Sequence, residues 1–295
     1  MANITEDKKP AKVKARFLGT NSLVITDGPT TILVDPYFTR VDASTVFLKK
    51  IQPDPDRIKK ALDDAELDQA DAILITHAHF DHVLDLAHVA RATGATVYGC
   101  ESVANVCRGG DLPESQISVV NPKEPVVVGD FSIQFIPGIH LAFPWLLRLL
   151  LRPGRKITSP LRPPARSSAW AEGQVHALHF THPSGTFFNQ GSANWVEGSL
   201  KGYNADVALL GVGGLDLHKA DYWDTWYKET AGYVNPKKIY WTHWDDFCQS
   251  LDEKPRYLRH VDDVLAHLTY KLKNAGGPPE EKMPWLEWID VTGNE

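Results

Sequence analysis

Residues 71–83, "DAILITHAHFDHV", open as an apolar run and stop abruptly in a polar loop. Ala72 to Thr76 have the length and composition of a buried strand. His77, His79, Asp81 and His82 follow within six consecutive positions. Neutral imidazoles and carboxylates are the preferred ligands of zinc and its neighbours. Histidines two apart in an extended segment project to the same side, while Asp81 and His82, adjacent in a turn, reach a second position a few residues' width away. The competing reading is a polar turn with incidental histidines. A buried strand delivering the turn favours the metal reading.

The same alternation continues outward in both directions. "KARFLGTNSLVITDGPTTILVDPYF" gives short β-rich runs broken by Gly-Thr-Asn and Asp-Gly-Pro turns, the pattern of an antiparallel meander. Residues 56–67 predict a helix, and a second is expected from about Val83 to Ala92. "ATVYGC", "ISVV", "EPVVVGDFSIQFIPG" and "GQVHALHFTHPSGTFFNQG" read as further strands and tight turns. Then come a strand in "ADVALLGVGG", a helix over 219–231, a strand in "KKIYWTH" and a long amphipathic helix within "RYLRHVDDVLAHLTYKLKNAG" that stops at Gly276. Two runs of strands interleaved with helices predict two sheets packed face to face with helices outside, a four-layer α/β arrangement. We read residues 1–295 as one domain with a rim insertion at about 141–168, where "LAFPWLLRLLLRPGRKITSPLRPPARSS" has no clear period.

Bulk properties bound the function. The 295 residues are 43% hydrophobic and 23% charged, the composition of a globular protein with a sizeable core. A formal net charge of −6 argues against nucleic acid as a partner. Cys100, Cys107 and Cys248 are too few and too irregularly spaced for a disulfide framework or a cysteine zinc site. A reduced compartment and, with no apolar leader or membrane-length run in view, the cytoplasm are the expectations.

On the motif "HAHFDH" the chain resembles the metallo-β-lactamase superfamily, whose His-x-His-x-Asp-His signature it matches. Later landmarks appear in order: His140 in "PGIH", His243 in "YWTHWDDF" and, upstream, Asp35 in "ILVDPYF". The runs "LGTNSLVITDGPTTILVDPYFTR" and "IYWTHWDDF" look most like the branch that includes L-ascorbate-6-phosphate lactonase and N-acyl phosphatidylethanolamine phospholipase D. The resemblance implies a four-layer αββα sandwich. It implies a first metal on His77, His79 and His140, a second on Asp81, His82 and His243, and Asp35 orienting a ligand histidine from behind. The expected cofactor is one or two divalent transition metal ions, zinc first, with manganese or iron accepting the same ligands.

In the resembled pattern a glycine followed by aspartate supplies a carboxylate bridging both metals, and "FFNQGSANW" (187–195) has Ser192 there. A neutral hydroxyl is a poorer ligand and offsets no positive charge. Three outcomes stay open: a dinuclear site held by the other six ligands, a single metal on the three histidines, or a non-catalytic scaffold. We expect Ser192 to face the metal cavity without being a strong ligand. In "VGGLDLHKADYWDTW", Asp216 and His218 follow a buried strand at a sheet end, where they offer a substitute for the missing carboxylate; a helix N-terminal region capped by Asp216 or Asp221 suits the sequence at least as well, leaving His218 to contact substrate. His176, His179 and His182 alternate along one strand and are not expected to be ligands.

These features point to a metal-dependent hydrolase acting on an ester, lactone or phosphodiester, with Asp81, His243 and His218 as the catalytic side chains. The alternative is a non-catalytic metal-binding or partner-binding protein on the same fold. Trp145, Arg148, Arg152 and Arg155 among leucines in the insertion suggest an amphiphilic substrate or peripheral membrane contact through 141–155, against the plainer readings of core packing or a homo-oligomer interface.

Overall fold

The computed structural model describes residues 11–143 and 154–292. Trp145, Arg148 and Arg152 of the rim insertion lie outside the described residues.

The opening meander forms as expected: β1 (Lys14–Phe17), β2 (Leu23–Thr26) and β3 (Thr31–Val34) pair antiparallel. Asp27 closes the second turn by accepting the Thr30 amide at 2.8 Å. After α1 (Ala43–Leu48) and the two-residue β4 (Lys50–Ile51), α2 (Pro55–Asp64) starts with Pro55 at its first position and the Asp54 carboxylate capping the amides of Asp56 and Arg57. The chain then switches to parallel pairing: β5 (Ala72–Leu74) lies beside β3, followed by β6 (Thr96–Gly99) and β7 (Ile117–Val119). Between them run α3 (Phe80–Val83), α4 (Leu86–Thr93) and α5 (Glu101–Gly109).

The second sheet is built from β8 (Val126–Val128), β9 (Phe131–Gly138), β11 (Val175–His182), β12 (Gly185–Gln190), β13 (Val207–Gly211), β14 (Lys238–Thr242) and β15 (Glu280–Lys282), with β10 (Ala165–Arg166) pairing instead with β4. Its order is β15-β14-β13-β12-β11-β9-β8. Helices α6 (Ala220–Glu229), α7 (Ala231–Val234) and α8 (Val261–Ala275) belong to this half. The last strand, β16 (Trp288–Asp290), returns to the first sheet beside β1, giving the order β16-β1-β2-β3-β5-β6-β7.

Period-two side chains sort these strands into layers. Ala72 and Leu74 join Phe131, Phe135, Phe180 and Phe187 in one buried cluster, to which both sheets contribute. Ile73 and Ile75 join Ile58, Leu62, Val89 and Val103 in a second cluster under the helices of the first half. Both faces of β5 are buried, which is why its sequence is apolar without alternation. Among the described residues no helix is long and apolar enough to cross a membrane.

Three expectations change. The helix expected from Val83 is divided, because Asp85 sits between α3 and α4 and turns its buried carboxylate onto the amides of Phe38 and Thr39, at 2.6 and 2.7 Å, and onto the Thr39 hydroxyl. The last long helix begins only at Val261, because residues upstream are held by the loop after β14: Tyr257 bridges Asp245, and Arg256 pairs with Asp246 at 2.9 Å. The described part of the insertion is ordered by neighbours rather than by its own period. Asn105 donates to the Ile157 carbonyl at 2.8 Å, Ser102 Oγ accepts the Ile157 amide at 3.0 Å, and Ala165 pairs with Ile51.

Burial pushes the Asp85 carboxyl up to about 6 against the opposing hydrogen bonds from Thr39 and Phe38. Replacing Asp85 by Ala strands three donors in a dry site, each costing roughly 1–3 kcal/mol. Urea denaturation of Asp85→Ala is expected to show a loss of about 3 kcal/mol or more; a loss below about 1 kcal/mol would mean the loop finds other partners.

Candidate metal centre

The motif loop follows β5, an interior strand of the first sheet, flanked by β3 and β6. His79 occupies the N-cap position of α3 on extended backbone, with φ −67° and ψ 152°. The first turn of α3 then redirects Asp81 and His82. His140 arrives just past β9, and His243 just past β14.

The structure gathers these residues into two groups. Ligand atoms of His77, His79 and His140 all lie within 4.8 Å of one another, and so do those of Asp81, His82 and His243. The groups adjoin, with the rings of His77 and His82 3.9 Å apart between centroids. Asp81 Oδ2 stands 3.5 Å from His243 Nε2 and 3.7 Å from His82 Nε2.

Hydrogen bonds behind the rings fix which nitrogen is free. Asp35, fully buried, accepts the Thr76 amide at Oδ1 (2.8 Å) and, at Oδ2, the Thr76 hydroxyl (2.6 Å), Asn21 Nδ2 (2.7 Å) and His82 Nδ1 (2.8 Å). With its proton on Nδ1, His82 presents the lone pair of Nε2. The Thr76 hydroxyl, having donated to Asp35, accepts from His77 Nδ1 at 3.1 Å. His77 Nε2 is therefore a buried lone pair, and it has no hydrogen-bond partner. His140 Nδ1 donates to the Leu141 carbonyl at 3.1 Å, freeing its Nε2 likewise. Oriented imidazole lone pairs converging with a carboxylate fit a divalent transition ion.

The imidazoles of His77, His79 and His140 are held neutral. Burial, reinforced by the neighbouring rings of His82, His140 and His79, lowers the His77 pKa well below its ordinary value. Burial brings His79 down to about 4 and lowers His140 strongly. His82 goes the other way: burial lowers it, but the carboxylates of Asp35 and Asp81 more than compensate and raise it. Asp81 is buried, which opposes ionisation, yet His82 and His243 pull its pKa below the usual carboxylate range.

His243 is set by backbone. It has φ 54°, and its amide donates to the Thr20 carbonyl at 2.6 Å. A Cβ on Gly213 would stand 2.5 Å from His243 Nδ1, so only glycine lets the ring occupy this position. Residues not singled out in the sequence complete the support. Asp245 accepts the Thr20 amide at 2.8 Å and pairs with buried Arg40 at 2.8 Å. The signal was available, since Asp245 lies two residues beyond His243, but its target is a loop more than 200 positions away in sequence.

The remaining candidates take other places. Ser192 Oγ accepts the Leu141 amide at 3.0 Å and belongs to neither group. His218 stacks on Tyr222 at 3.9 Å and bonds through Nε2 to the Ala142 carbonyl. The Asp216 side chain is 1% exposed and ion-paired with Arg259 Nε at 3.0 Å, and neither it nor Asp221 provides a helix cap. His179 donates to the Asn204 carbonyl at 2.7 Å, and His176 is buried against Phe135 at 5.5 Å. His182 lies near Asp27 and Asp130, but its Nδ1 accepts the Ser184 amide at 3.1 Å, so Nε2 carries the proton and donates to Asp27.

Residues 15–151 match the family model described as Metallo-beta-lactamase superfamily. A UPF0173 metal-dependent hydrolase of Christiangramia forsetii is 37% identical over 93 residues, 32% of this chain and 34% of that protein, so the chain spans only part of this relative. Another, of Pyrobaculum islandicum, is 25% identical over 268 residues, 88% of this chain and 97% of that protein. Among solved structures, the metallo-beta-lactamase fold protein YhfI from Bacillus subtilis aligns with a TM-score of 0.56 at 16% identity, covering 95% of this chain and 99% of that one. The chain has the metallo-β-lactamase fold, and its homologues include UPF0173 metal-dependent hydrolases.

Two predictions follow from the site's geometry and charge. A metal displaces protons from its ligand atoms, and His77, His79 and His140, neutral near pH 7 because their pKa values are depressed, have no second proton to lose. Affinity at that triad should stay nearly flat from pH 7.5 to 5.5. His82, with its raised pKa, takes up a proton as pH falls, so the second triad should weaken by up to about tenfold per pH unit for that one competing proton. Metal content after dialysis at stepped pH checks this; loss of the first triad's metal before the second's would contradict it. Gly213→Ala should displace His243 and weaken the second metal by about 10–100-fold, read by zinc titration against a competing chelator; unchanged affinity would show that the ring can shift freely.

Proposed function

We propose that this protein is a metal-dependent hydrolase acting on an ester, lactone or phosphodiester. The observation that carries the proposal is the meeting of two three-residue ligand sets at the His77–His82 contact of 3.9 Å. The names of the UPF0173 relatives agree with it. A divalent ion held there would supply Lewis acidity and a nucleophile drawn from water at neutral pH.

The chain's own groups supply the rest. Asp81, kept ionised by its neighbouring imidazoles, accepts a hydrogen bond at Oδ2 and so orients the attacking nucleophile. To His243, whose Nε2 stands 3.5 Å from that oxygen, we assign the stabilisation of developing charge or of the leaving group. His218 has its Nε2 committed to the Ala142 carbonyl, so Nδ1 is the atom it offers to substrate. We take the amphiphilic phosphodiester as the sharper version, on the apolar, arginine-bearing sequence that follows His140. The lactonase and phospholipase D-like branch reading belongs to the same proposal. Free thiols at Cys100, Cys107 and Cys248 agree with a reducing, cytoplasmic setting.

The test is chelator stripping followed by reloading with zinc, manganese or iron, then turnover of p-nitrophenyl butyrate, a homoserine lactone, bis(p-nitrophenyl) phosphate and a phospholipid. Metal-dependent hydrolysis of at least one class is expected. Asp81→Asn should lower kcat by about a hundredfold or more. No turnover of any class by the reloaded protein would overturn the assignment.

A further inference from the structure

His140 is the one first-triad ligand that comes from outside the motif loop, and it lies in a segment beyond the end of β9. Its aim depends on the backbone around it. The peptide unit joining His140 to Leu141 is gripped at both polar ends by a single loop: Ser192 Oγ accepts its N–H at 3.0 Å, and Asn194 Nδ2 donates to its carbonyl oxygen at 2.6 Å. The His140 ring then bonds through Nδ1 to the next carbonyl, that of Leu141, at 3.1 Å. Holding this peptide plane fixes the backbone on the C-terminal side of the His140 Cα and the position of the Leu141 Cα, and so limits where the ring and its acceptor can lie.

The gripping loop is itself anchored. Gly191 packs so closely that a Cβ would stand 2.7 Å from Asn21 Nδ2 and 2.8 Å from Thr76 Oγ1, two of the groups that hold Asp35. The Asn194 amide closes on the Ser192 carbonyl at 3.0 Å, and Tyr222 Oη donates to the Ala193 carbonyl at 3.0 Å. Ser192 is 7% exposed, so the Leu141 amide has no ready replacement for the hydroxyl.

We propose that Ser192 is a positioning residue for His140: it braces the His140–Leu141 peptide instead of ligating, and the ligand sets are not bridged by a side chain from position 192. This inference rests on the reading of the two triads as metal sites.

The test isolates the first triad in a His243→Ala background and titrates the metal-free protein with cobalt(II), recording affinity and the visible absorption of the bound ion. Ser192→Ala should weaken binding by about 10–100-fold and alter the bands, as loss of a group supporting a ligand does. Ser192→Thr, which keeps the hydroxyl, should restore both. Asn194→Ala, which releases the other end of the same peptide without touching position 192, should weaken binding in the same direction. Wild-type affinity and spectrum in Ser192→Ala would overturn the brace while leaving the metal sites standing. Loss of binding in Ser192→Ala with none in Asn194→Ala would overturn it in favour of direct ligation. Failure of the unsubstituted protein to bind cobalt(II) or zinc at all would overturn the functional reading and this inference with it.

Discussion

The Asp35 carboxylate takes four hydrogen bonds in a fully buried position, and they come from the loop after β1, from Thr76 at the end of β5 and from a motif histidine. An ionised carboxylate without partners there would be costly, since burial removes its hydration. The four bonds replace that hydration and at the same time tie the two sides of the parallel switch together. Asp35 has φ 42°, an uncommon conformation for a residue with a side chain, at the point where β3 ends. Its Oδ2 orients His82 directly and His77 through the Thr76 hydroxyl, so one residue from each ligand set is aimed by the same oxygen. Relative placement of the two sets is thereby a property of the scaffold.

A second buried charge does comparable work for His243. Arg40 and Asp245 are almost wholly inaccessible and paired at 2.8 Å, with the guanidinium also over the rings of Tyr37 and Trp285. A buried ion pair is weak evidence for stability, because desolvation offsets much of its attraction. Its geometric consequence is clearer: Asp245 fixes the Thr20 amide, and the Thr20 carbonyl receives the His243 amide. Thr20, Arg40 and His243 all have positive φ, and Gly19 leaves the room that the guanidinium fills. Four of the nine positive-φ residues other than glycine among the described residues, Thr20, Asp35, Arg40 and His243, thus belong to the networks around the candidate metal-binding groups, where the surrounding bonds hold them.

What the sequence made legible follows from how local each feature is. The motif from His77 to His82 could be read because a single strand and turn place all four side chains. The four layers could be read because β-strand periodicity and helix punctuation are local. His140 and His243 were legible only through their order relative to other landmarks, as each arrives from a separate strand end. The β15 strand was not legible: "EEK" has little strand propensity and exists by pairing with β14. The partnership of β16 with β1 joins residues at opposite ends of the chain, Lys14 with Asp290, and no local pattern announces it. The roles of Asn21, Thr76 and Asp245 were hidden for the same reason, since each is defined by a partner distant in sequence.

Depressed histidine pKa values tie folding to the site's chemistry. Three imidazoles packed together would repel one another if charged, and burial already disfavours their charged forms. The folded chain therefore presents the first set as neutral bases with their free nitrogens turned inward. The second set contains Asp81 and shares His82 with the Asp35 network, so it is charged differently from the first before any ion arrives. Two adjoining candidate metal-binding groups of unequal protonation and unequal charge are not equivalent. That asymmetry originates in one sequence difference between the sets, a carboxylate in one and a third histidine in the other, and the scaffold converts it into a difference in affinity and pH response.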